Sequence, residues 1–203
     1  ATKINGYELV PLNVYVDAYH TYTGLQIVDS CGDYSVRSDH ISQLGHTVYY
    51  TIARTFDNGY LIGGDIYPPT VLDFKPYLLK VDAYGTVLWG RVYTNVPNNG
   101  RVWDILPATD SSGYFVLSTY NYDELTLTLQ TRITKINEGG DSILLDKIYN
   151  FETDYYFASK LEYTTDGNII MIGSRHPYNY TGFVAKVDAT PLDTIWVNRG
   201  KAG

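Results

Sequence analysis

The chain has 203 residues, of which 44% are hydrophobic and 18% charged, and it carries 21 tyrosines, one cysteine and a net charge of −7. Phosphate binding needs clustered Lys and Arg, and no basic run exceeds two residues, which argues against nucleic acid or an anionic membrane surface as partner. No apolar stretch approaches the ~20 residues of a membrane helix, and the lone Cys31 excludes a disulfide framework.

The first elements along the chain form an incomplete copy of a β-rich unit. An Asn-Gly turn at 5–6 precedes an apolar strand at 7–10, and a second strand runs through 26–29 before another glycine. The five residues before Gly6 are too few for a strand and a turn. We therefore predict that this copy lacks its first strand.

The second unit is complete and defines the pattern. Residues 48–55 predict strand a, and an Asp-Asn-Gly turn at 57–59 supplies the positive φ that a tight hairpin needs. Residues 60–67 predict strand b. After a variable loop, residues 77–82 and 86–93 predict strands c and d on either side of a glycine turn. Four antiparallel strands per unit are typical of a propeller blade.

The unit then recurs with little change in length. Gly59, Gly113 and Gly167 mark the a–b turns at spacings of 54 residues. Strand c ends at an Asp or Asn in every copy, at Asp29, Asp82, Asn137 and Asp188. Two landmarks with one period predict tandem repeats at about 1–45, 46–100, 101–154 and 155–203, forming a single domain. The Thr-Leu alternation within 123–135 favours a strand over a helix there.

With these landmarks the chain resembles the secreted bacterial and archaeal β-propeller repeat proteins. The matching residues are the Asp-Gly-Asn turn at 166–168, strand c at 182–188 and Trp196 in the fourth copy, with 57–59, 77–82 and Trp89 in the second. The first and third copies match less well, since neither has the strand-d tryptophan. The resemblance implies an all-β, β-propeller-like fold of four tandem four-stranded antiparallel blades, and it implies export. It implies little about chemistry, because function resides in sites rather than in folds.

Three kinds of residue recur in equivalent places. The Asp or Asn after strand c is predicted to cap the following turn, since a calcium site needs about 6–8 oxygen ligands that these turns do not offer. The strand-c lysines are expected to point outward and keep the edges soluble, with a charged ring as the alternative: Lys80, Lys135 and Lys186. Trp89 and Trp196 are expected to pack between blades, and Trp103 in the core.

The b–c loops are the candidate binding surface, because a propeller places all of them on one face. Tyrosine offers a flat apolar body with a polar tip, which suits sugar rings or protein partners. The candidate binding residues are Tyr15, Tyr19, His20, Tyr22, Tyr67, Phe74, Tyr120, Tyr122, His176, Tyr178 and Tyr180. Asn179 begins an Asn-Tyr-Thr sequon and is a glycosylation candidate. No metal site is predicted, because the two histidines lack further ligands.

The sequence contains no Gly-x-Ser-x-Gly elbow, no His-Glu-x-x-His pair and no phosphate loop, so neither catalysis nor a cofactor is predicted. The leading hypothesis is an exported structural or assembly subunit at the cell surface or in the extracellular space. Its partners are further copies of itself, or other surface proteins and glycans. The alternative is a carbohydrate- or protein-binding propeller that uses the b–c loops, and an enzyme on a propeller scaffold ranks third.

The predicted vacancy in the first repeat has three resolutions, because an unfilled strand position exposes backbone groups. The chain is a fragment of a longer propeller, its C-terminal tail reaches across, or a neighbouring subunit donates a strand. The last of these leads to head-to-tail assembly and, where the rotation does not close, to a filament.

Overall fold

The computed structural model describes an all-β chain, and none of its described residues is helical. It describes the backbone of residues 2–4, 7–17, 20–28, 31, 34–39, 46–67, 73–93, 99–123, 128–149, 155–176 and 182–200. Side chains are described for residues 31, 46–67, 73–93, 99–120, 130–149, 157–174 and 182–200. Within these ranges no helix is long and apolar enough to cross a membrane.

The described strands form four sheets of four strands each, and every sheet lies inside one sequence repeat. Sheet 1 contains β1 (Thr2–Ile4), β2 (Tyr7–Asp17), β3 (His20–Val28) and β4 (Tyr34–Asp39). Sheet 2 contains β5 (His46–Arg54), β6 (Tyr60–Tyr67), β7 (Lys75–Val81) and β8 (Val87–Val92). Sheet 3 contains β9 (Arg101–Pro107), β10 (Gly113–Asp123), β11 (Thr128–Asn137) and β12 (Ile143–Tyr149). Sheet 4 contains β13 (Tyr155–Tyr163), β14 (Ile169–His176), β15 (Gly182–Val187) and β16 (Thr194–Arg199). Neighbours in each sheet are neighbours in sequence.

Sheet 1 shows that the prediction of a missing first strand is wrong. β1 pairs with β2, with Thr2 opposite Leu9 and Ile4 opposite Tyr7. Only residues 5 and 6 lie between these strands, so the hairpin needs fewer residues than the other repeats use. β1 is nevertheless short, at three residues against nine in β5 and nine in β13. The first strand is therefore present but truncated.

The a–b hairpins of sheets 2, 3 and 4 share one turn. In sheet 2 the Thr55 N–H donates to the Gly59 carbonyl oxygen at 3.0 Å, and Asn58 has a φ of 64°. Ser111 and Gly167 occupy the same place in sheets 3 and 4, with φ values of 57° and 81°. The predicted positive φ in these turns is confirmed.

The c–d turns are capped by the residue that ends strand c, as predicted. Asp82 Oδ1 accepts the N–H groups of Tyr84 and Thr86, both at 2.8 Å. Asn137 and Asp188 accept N–H groups of their own turns in the same way. Burial acts to raise the pKa of Asp82, but the two N–H donors together hold that pKa below its usual value.

The expectation that the strand-c lysines point outward is wrong. Lys80 is only 5% exposed, and strand c lies between strands b and d rather than at an edge. Each lysine instead pairs with the Asp of the a–b turn in its own sheet. The Nζ–Oδ2 distances are 2.8 Å for Lys80–Asp57, 3.4 Å for Lys135–Asp110 and 2.5 Å for Lys186–Asp166.

The chain separates into two compact units, residues 1–105 and 106–203, and the boundary falls within β9. In the first unit, one face of sheet 2 forms a buried cluster of Tyr49, Tyr60, Ile62, Ile66, Tyr77, Leu79 and Val81. In the second unit, one face of sheet 4 is buried through Leu161, Ile169, Met171, Phe183, Ala185 and Val187. These buried residues occupy every second position along their strands, because side chains on one face of a pleated strand are two residues apart. Closure of the four sheets into one domain stays a prediction.

Candidate functional site

Sheet 2 is buried on both faces, and the second face is covered by the following repeat. This face carries Leu61, Gly63 and Leu78, of which the two leucines are fully buried. A Cβ added at Gly63 would meet Val102 Cγ1 at 2.5 Å and Ile105 Cδ1 at 3.1 Å. Strand β9, the first strand of the third repeat, therefore lies directly on sheet 2.

The same arrangement recurs in the second unit. The equivalent face of sheet 3 carries Phe115, Leu117 and Ile133, all of them buried. It contacts β13, the first strand of the fourth repeat, through β10 and β11. The Ala158 N–H donates to Thr131 Oγ1 at 3.2 Å across this contact. In both units, then, a first strand covers the sheet that precedes it.

The equivalent face of sheet 4 is uncovered. Ile172 lies opposite Val184 in sheet 4, at the position that Gly63 and its partner Leu78 occupy in sheet 2. Ile172 is nevertheless 43% exposed. The next cross-strand row on this face contains Ile170, Lys186 and Trp196. In this row Ile170 is half-buried and Trp196 is 43% exposed. We name the surface formed by Ile170, Ile172, Val184, Lys186 and Trp196 the open face.

The open face explains why one expectation about the tryptophans fails. Trp196 lies opposite Lys186 on the neighbouring strand, as Trp89 lies opposite Lys80 in sheet 2. Trp89 is half-buried, whereas Trp196 is exposed. The prediction that Trp196 packs between blades is therefore wrong, because nothing in the described part of the chain covers its row.

A second surface feature lies in the first unit, where β5, β6 and β9 bring aromatic rings together. The Trp103 ring centroid lies 5.0 Å from that of Tyr50. The Arg101 guanidinium carbon lies 4.3 Å from the Phe74 ring centroid and 5.9 Å from that of Tyr50. Tyr67 packs on Phe74 at 5.3 Å between centroids. We name these five residues the aromatic strip.

Asp65 anchors the aromatic strip from the buried side. Its Oδ2 accepts the Tyr50 hydroxyl at 3.1 Å and lies 3.0 Å from Arg101 Nε, while its Oδ1 has no hydrogen-bond partner among the described residues. Burial raises the pKa of Asp65 to about 6, against the opposing effects of the Arg101 charge and the Tyr50 hydroxyl. The carboxylate thereby fixes the guanidinium beside the Phe74 ring, which leaves a planar cation half-exposed within a row of rings.

Two of the predicted binding residues, Tyr67 and Phe74, meet in the aromatic strip. Tyr120 does not lie in a loop, because β10 continues to Asp123. Its ring is 4% exposed, its hydroxyl lies 2.8 Å from Ser118 Oγ, and burial raises its pKa. The expectation that Tyr120 belongs to a loop is wrong, since strands b and c of this repeat run further than predicted.

The remaining predicted residues lie at strand ends or outside the described residues. Those with a described backbone lie in strands, so their predicted placement in loops is wrong, and their side chains are not described: Tyr15, His20, Tyr22, Tyr122 and His176. Those outside the described residues are Tyr19, Tyr178, Asn179 and Tyr180. Their binding and glycosylation roles stay predictions.

Sequence reasoning missed both the open face and three members of the strip. The open face has a sequence signal only when equivalent positions are compared, because Ile172 stands where sheet 2 has Gly63. Tyr50, Arg101 and Trp103 lie in the first strands of two successive repeats, which the loop hypothesis did not consider. Their ring and cation contacts join strands of two different repeats, so no local sequence pattern indicates them.

The described part of the chain holds no group of three or more His, Cys, Asp or Glu side chains suited to a metal ion. Comparison with protein-family models, curated proteins and solved structures finds no match for this chain. The class of protein is therefore defined by the fold alone, as an all-β repeat protein of four-stranded antiparallel sheets. The resemblance to secreted propeller repeats stays a prediction.

Proposed function

We propose that the chain is an exported, non-enzymatic β-repeat protein that serves as an extracellular structural subunit and associates with copies of itself. The observation that carries this proposal is the open face. In sheets 2 and 3 the same face is buried under a neighbouring repeat, whereas in sheet 4 its apolar side chains meet solvent. Exposed apolar faces of this kind mark interaction surfaces.

The propeller-like arrangement of the repeats is part of the same proposal. β5 contacts β2 and β3, β9 lies on sheet 2, and β13 contacts β10 and β11. A contact that recurs between successive repeats is a feature that propellers and solenoids share. A low charge content and the Asn179 sequon support export.

Sedimentation velocity over a wide concentration range tests self-association. We expect the weight-average mass of the purified chain to rise above that of one 22.9 kDa chain as concentration increases. A single species of one-chain mass up to millimolar concentration would overturn the proposal.

A second candidate function is the binding of a glycan or protein partner through the aromatic strip. The observation that favours it is the Arg101 guanidinium, which is held by Asp65 beside the Phe74 ring within a row of partly exposed rings. Flat rings and a fixed planar cation suit the apolar face and the hydroxyl groups of a sugar.

A glycan screen with Tyr67→Ala and Trp103→Ala tests this candidate. The matched control is Tyr84→Ala, which removes a tyrosine that is 72% exposed and lies outside the strip. Binding that is lost in the strip variants, and kept in Tyr84→Ala, supports a binding module. Equal binding by all three variants excludes the strip.

A further inference from the structure

We infer that the aromatic strip binds a sugar that carries a carboxylate, with the Arg101 guanidinium as its anchor. The inference rests on the second candidate of the proposed function, glycan binding through the strip, and names the class of sugar. All five residues of the strip lie within the first compact unit, so the site is formed inside that unit.

The guanidinium of Arg101 is fixed by a carboxylate that solvent does not reach. Asp65 is fully buried, and its Oδ2 lies 3.0 Å from Arg101 Nε. The Phe74 ring contacts the guanidinium from a second direction, with its centroid 4.3 Å from the guanidinium carbon. A planar cation that is already held in one orientation loses little further entropy when a ligand binds. The strip therefore contains a preorganised cation.

The outer edge of this guanidinium is available to a ligand. The ion pair runs through Nε, and among the described residues none accepts a hydrogen bond from the two Nη groups of Arg101. The Arg101 side chain is 35% exposed and that of Asp65 0%, so the surface presents the positive charge and not the negative one. Two N–H donors in one plane match the two oxygens of a carboxylate. The ligand group that this edge suits best is therefore a carboxylate.

The rings beside Arg101 indicate that the carboxylate belongs to a sugar. Arg101 and Trp103 are two residues apart on β9, so their side chains lie on the same face of the strand, about 7 Å apart along it. The Trp103 ring lies beside that of Tyr50, which is 37% exposed. Aromatic rings offer a flat apolar surface to the apolar face of a sugar ring. A single sugar ring that packs on Trp103 or Tyr50 has its own carboxylate within reach of Arg101.

The charge of the strip favours a carboxylate over a ligand with many sulfate or phosphate groups. Arg101 is the one cation among the five residues of the strip, and the chain as a whole has a net charge of −7. Binding of a polyanion needs clustered Lys and Arg, because each anionic group requires a cation of its own. A carboxylate has one charge, and one guanidinium matches it.

The test compares acidic sugars with uncharged forms of the same sugars. The probes are trigalacturonic acid and sialyllactose, each measured beside its methyl ester by isothermal titration calorimetry at pH 7 and low salt. The ester keeps the sugar rings and removes the charge. Because the bonds to Arg101 are charge-assisted and bidentate only in the acid, we expect at least one acid to bind about tenfold or more tightly than its ester.

A matched pair of arginine variants assigns the effect to the strip. Arg101→Lys keeps the charge and removes the planar fork, and it should weaken binding of the acid by about tenfold while changing binding of the ester little. Arg91→Lys makes the same change at an arginine that lies 5.3 Å from the Trp89 ring, outside the strip. It should leave both affinities unchanged. Circular dichroism melting checks that both variants fold, and the comparison of acid with ester in the wild type needs no variant.

The outcomes separate the inference from the proposed function. Equal binding of each acid and its ester overturns the inference and leaves glycan binding by the strip standing. Acid binding that Arg101→Lys does not weaken also overturns it, because the carboxylate is then held elsewhere. Binding of an acidic peptide, but of neither sugar, overturns it in favour of a protein partner. A wild type that binds none of the probes overturns it as well, and the glycan screen with Tyr67→Ala and Trp103→Ala decides the second candidate separately.

Discussion

Lys80 Nζ lies 2.8 Å from Asp57 Oδ2, and this ion pair ties β7 to the turn between β5 and β6. The lysine side chain is 6% exposed and the aspartate side chain 42%, so the charge that depends on the pair is that of the lysine. Burial acts to raise the pKa of Asp57, but the bonds from Lys80 and Thr55 hold it below its usual value. The same pair recurs in sheets 3 and 4, so one kind of contact ties strand c to the a–b turn in each of these sheets.

This asymmetry predicts unequal effects of removing the two partners. Asp57→Asn keeps the turn acceptor and leaves Lys80 charged and nearly buried, and we expect it to lower the free energy of unfolding by about 2–3 kcal/mol. Lys80→Met removes the buried charge and keeps the apolar stem, so its cost should be about 1 kcal/mol or less. Urea unfolding at pH 7 measures both values.

Asp166→Asn is the control for that pair, because Lys186 is more exposed than Lys80. Its effect should be smaller than that of Asp57→Asn. A larger loss from Lys80→Met than from Asp57→Asn would show that the aspartate, not the lysine, is the group that the pair stabilises.

Gly63 and Ile172 occupy equivalent positions in two repeats, but Gly63 is buried under β9 and Ile172 is exposed. We therefore expect a change of side-chain size to destabilise the chain at Gly63 and to have little effect at Ile172. Gly63→Ala places a methyl group 2.5 Å from Val102 Cγ1, and we expect it to destabilise the chain by about 1–3 kcal/mol through overpacking. Ile172→Ala removes a partly exposed side chain and should cost about 1 kcal/mol or less in the single chain at low concentration. Thermal unfolding of both variants checks this, and a neutral Gly63→Ala would mean that β9 does not lie on sheet 2 as described.

Asp65 predicts a pH dependence of stability with a definite sign. Its pKa is about 6 in the folded chain against 3.8 when unfolded, so its stabilising contribution is complete below pH 3.8 and lost as pH rises through 6. At about 1.4 kcal/mol per pKa unit, the loss amounts to about 3 kcal/mol by pH 7. The free energy of unfolding of Asp65→Asn should therefore rise relative to that of the wild type by roughly this amount between pH 3 and pH 7.

Urea unfolding at the two pH values, followed by tryptophan fluorescence, measures the difference for Asp65→Asn. Parallel pH profiles of wild type and variant would show that the carboxyl is not the titrating group. The gain should be absent in Asp73→Asn, which removes an acidic residue that no described contact places in the strip.

Trp196 reports directly on coverage of the open face. Iodide should quench the fluorescence of the wild type less as concentration rises, because Trp196 becomes shielded when copies associate. Trp196→Phe should remove most of this concentration dependence, since Trp89 and Trp103 are already half-buried. A quenching constant that stays the same while the mass increases would place the contact elsewhere.

The strands of the complete repeats could be predicted well, and for a physical reason. Strand b of the second repeat runs from Tyr60 to Tyr67 as expected, because the glycine-containing turn fixes where it begins. The all-β class follows from the same local signals. β1 was missed because a three-residue strand carries too little pattern to be seen in sequence.

Pairings between distant residues could not be predicted. Lys80 and Asp57 are 23 residues apart and lie on either side of β6, so their contact depends on the register of two hairpins at once. The burial of Tyr120 was missed because no turn residue marks where β10 ends. The exposure of the open face could not be predicted from the local sequence, since its apolar residues form the same pattern as those of a buried strand.

The most direct test of self-association through the open face is to image the assembled protein at a resolution that traces its strands. The prediction is that Ile172 and Val184 are buried at the junction between copies. An assembly in which these side chains remain exposed to solvent, or a preparation that contains only single chains, would contradict it.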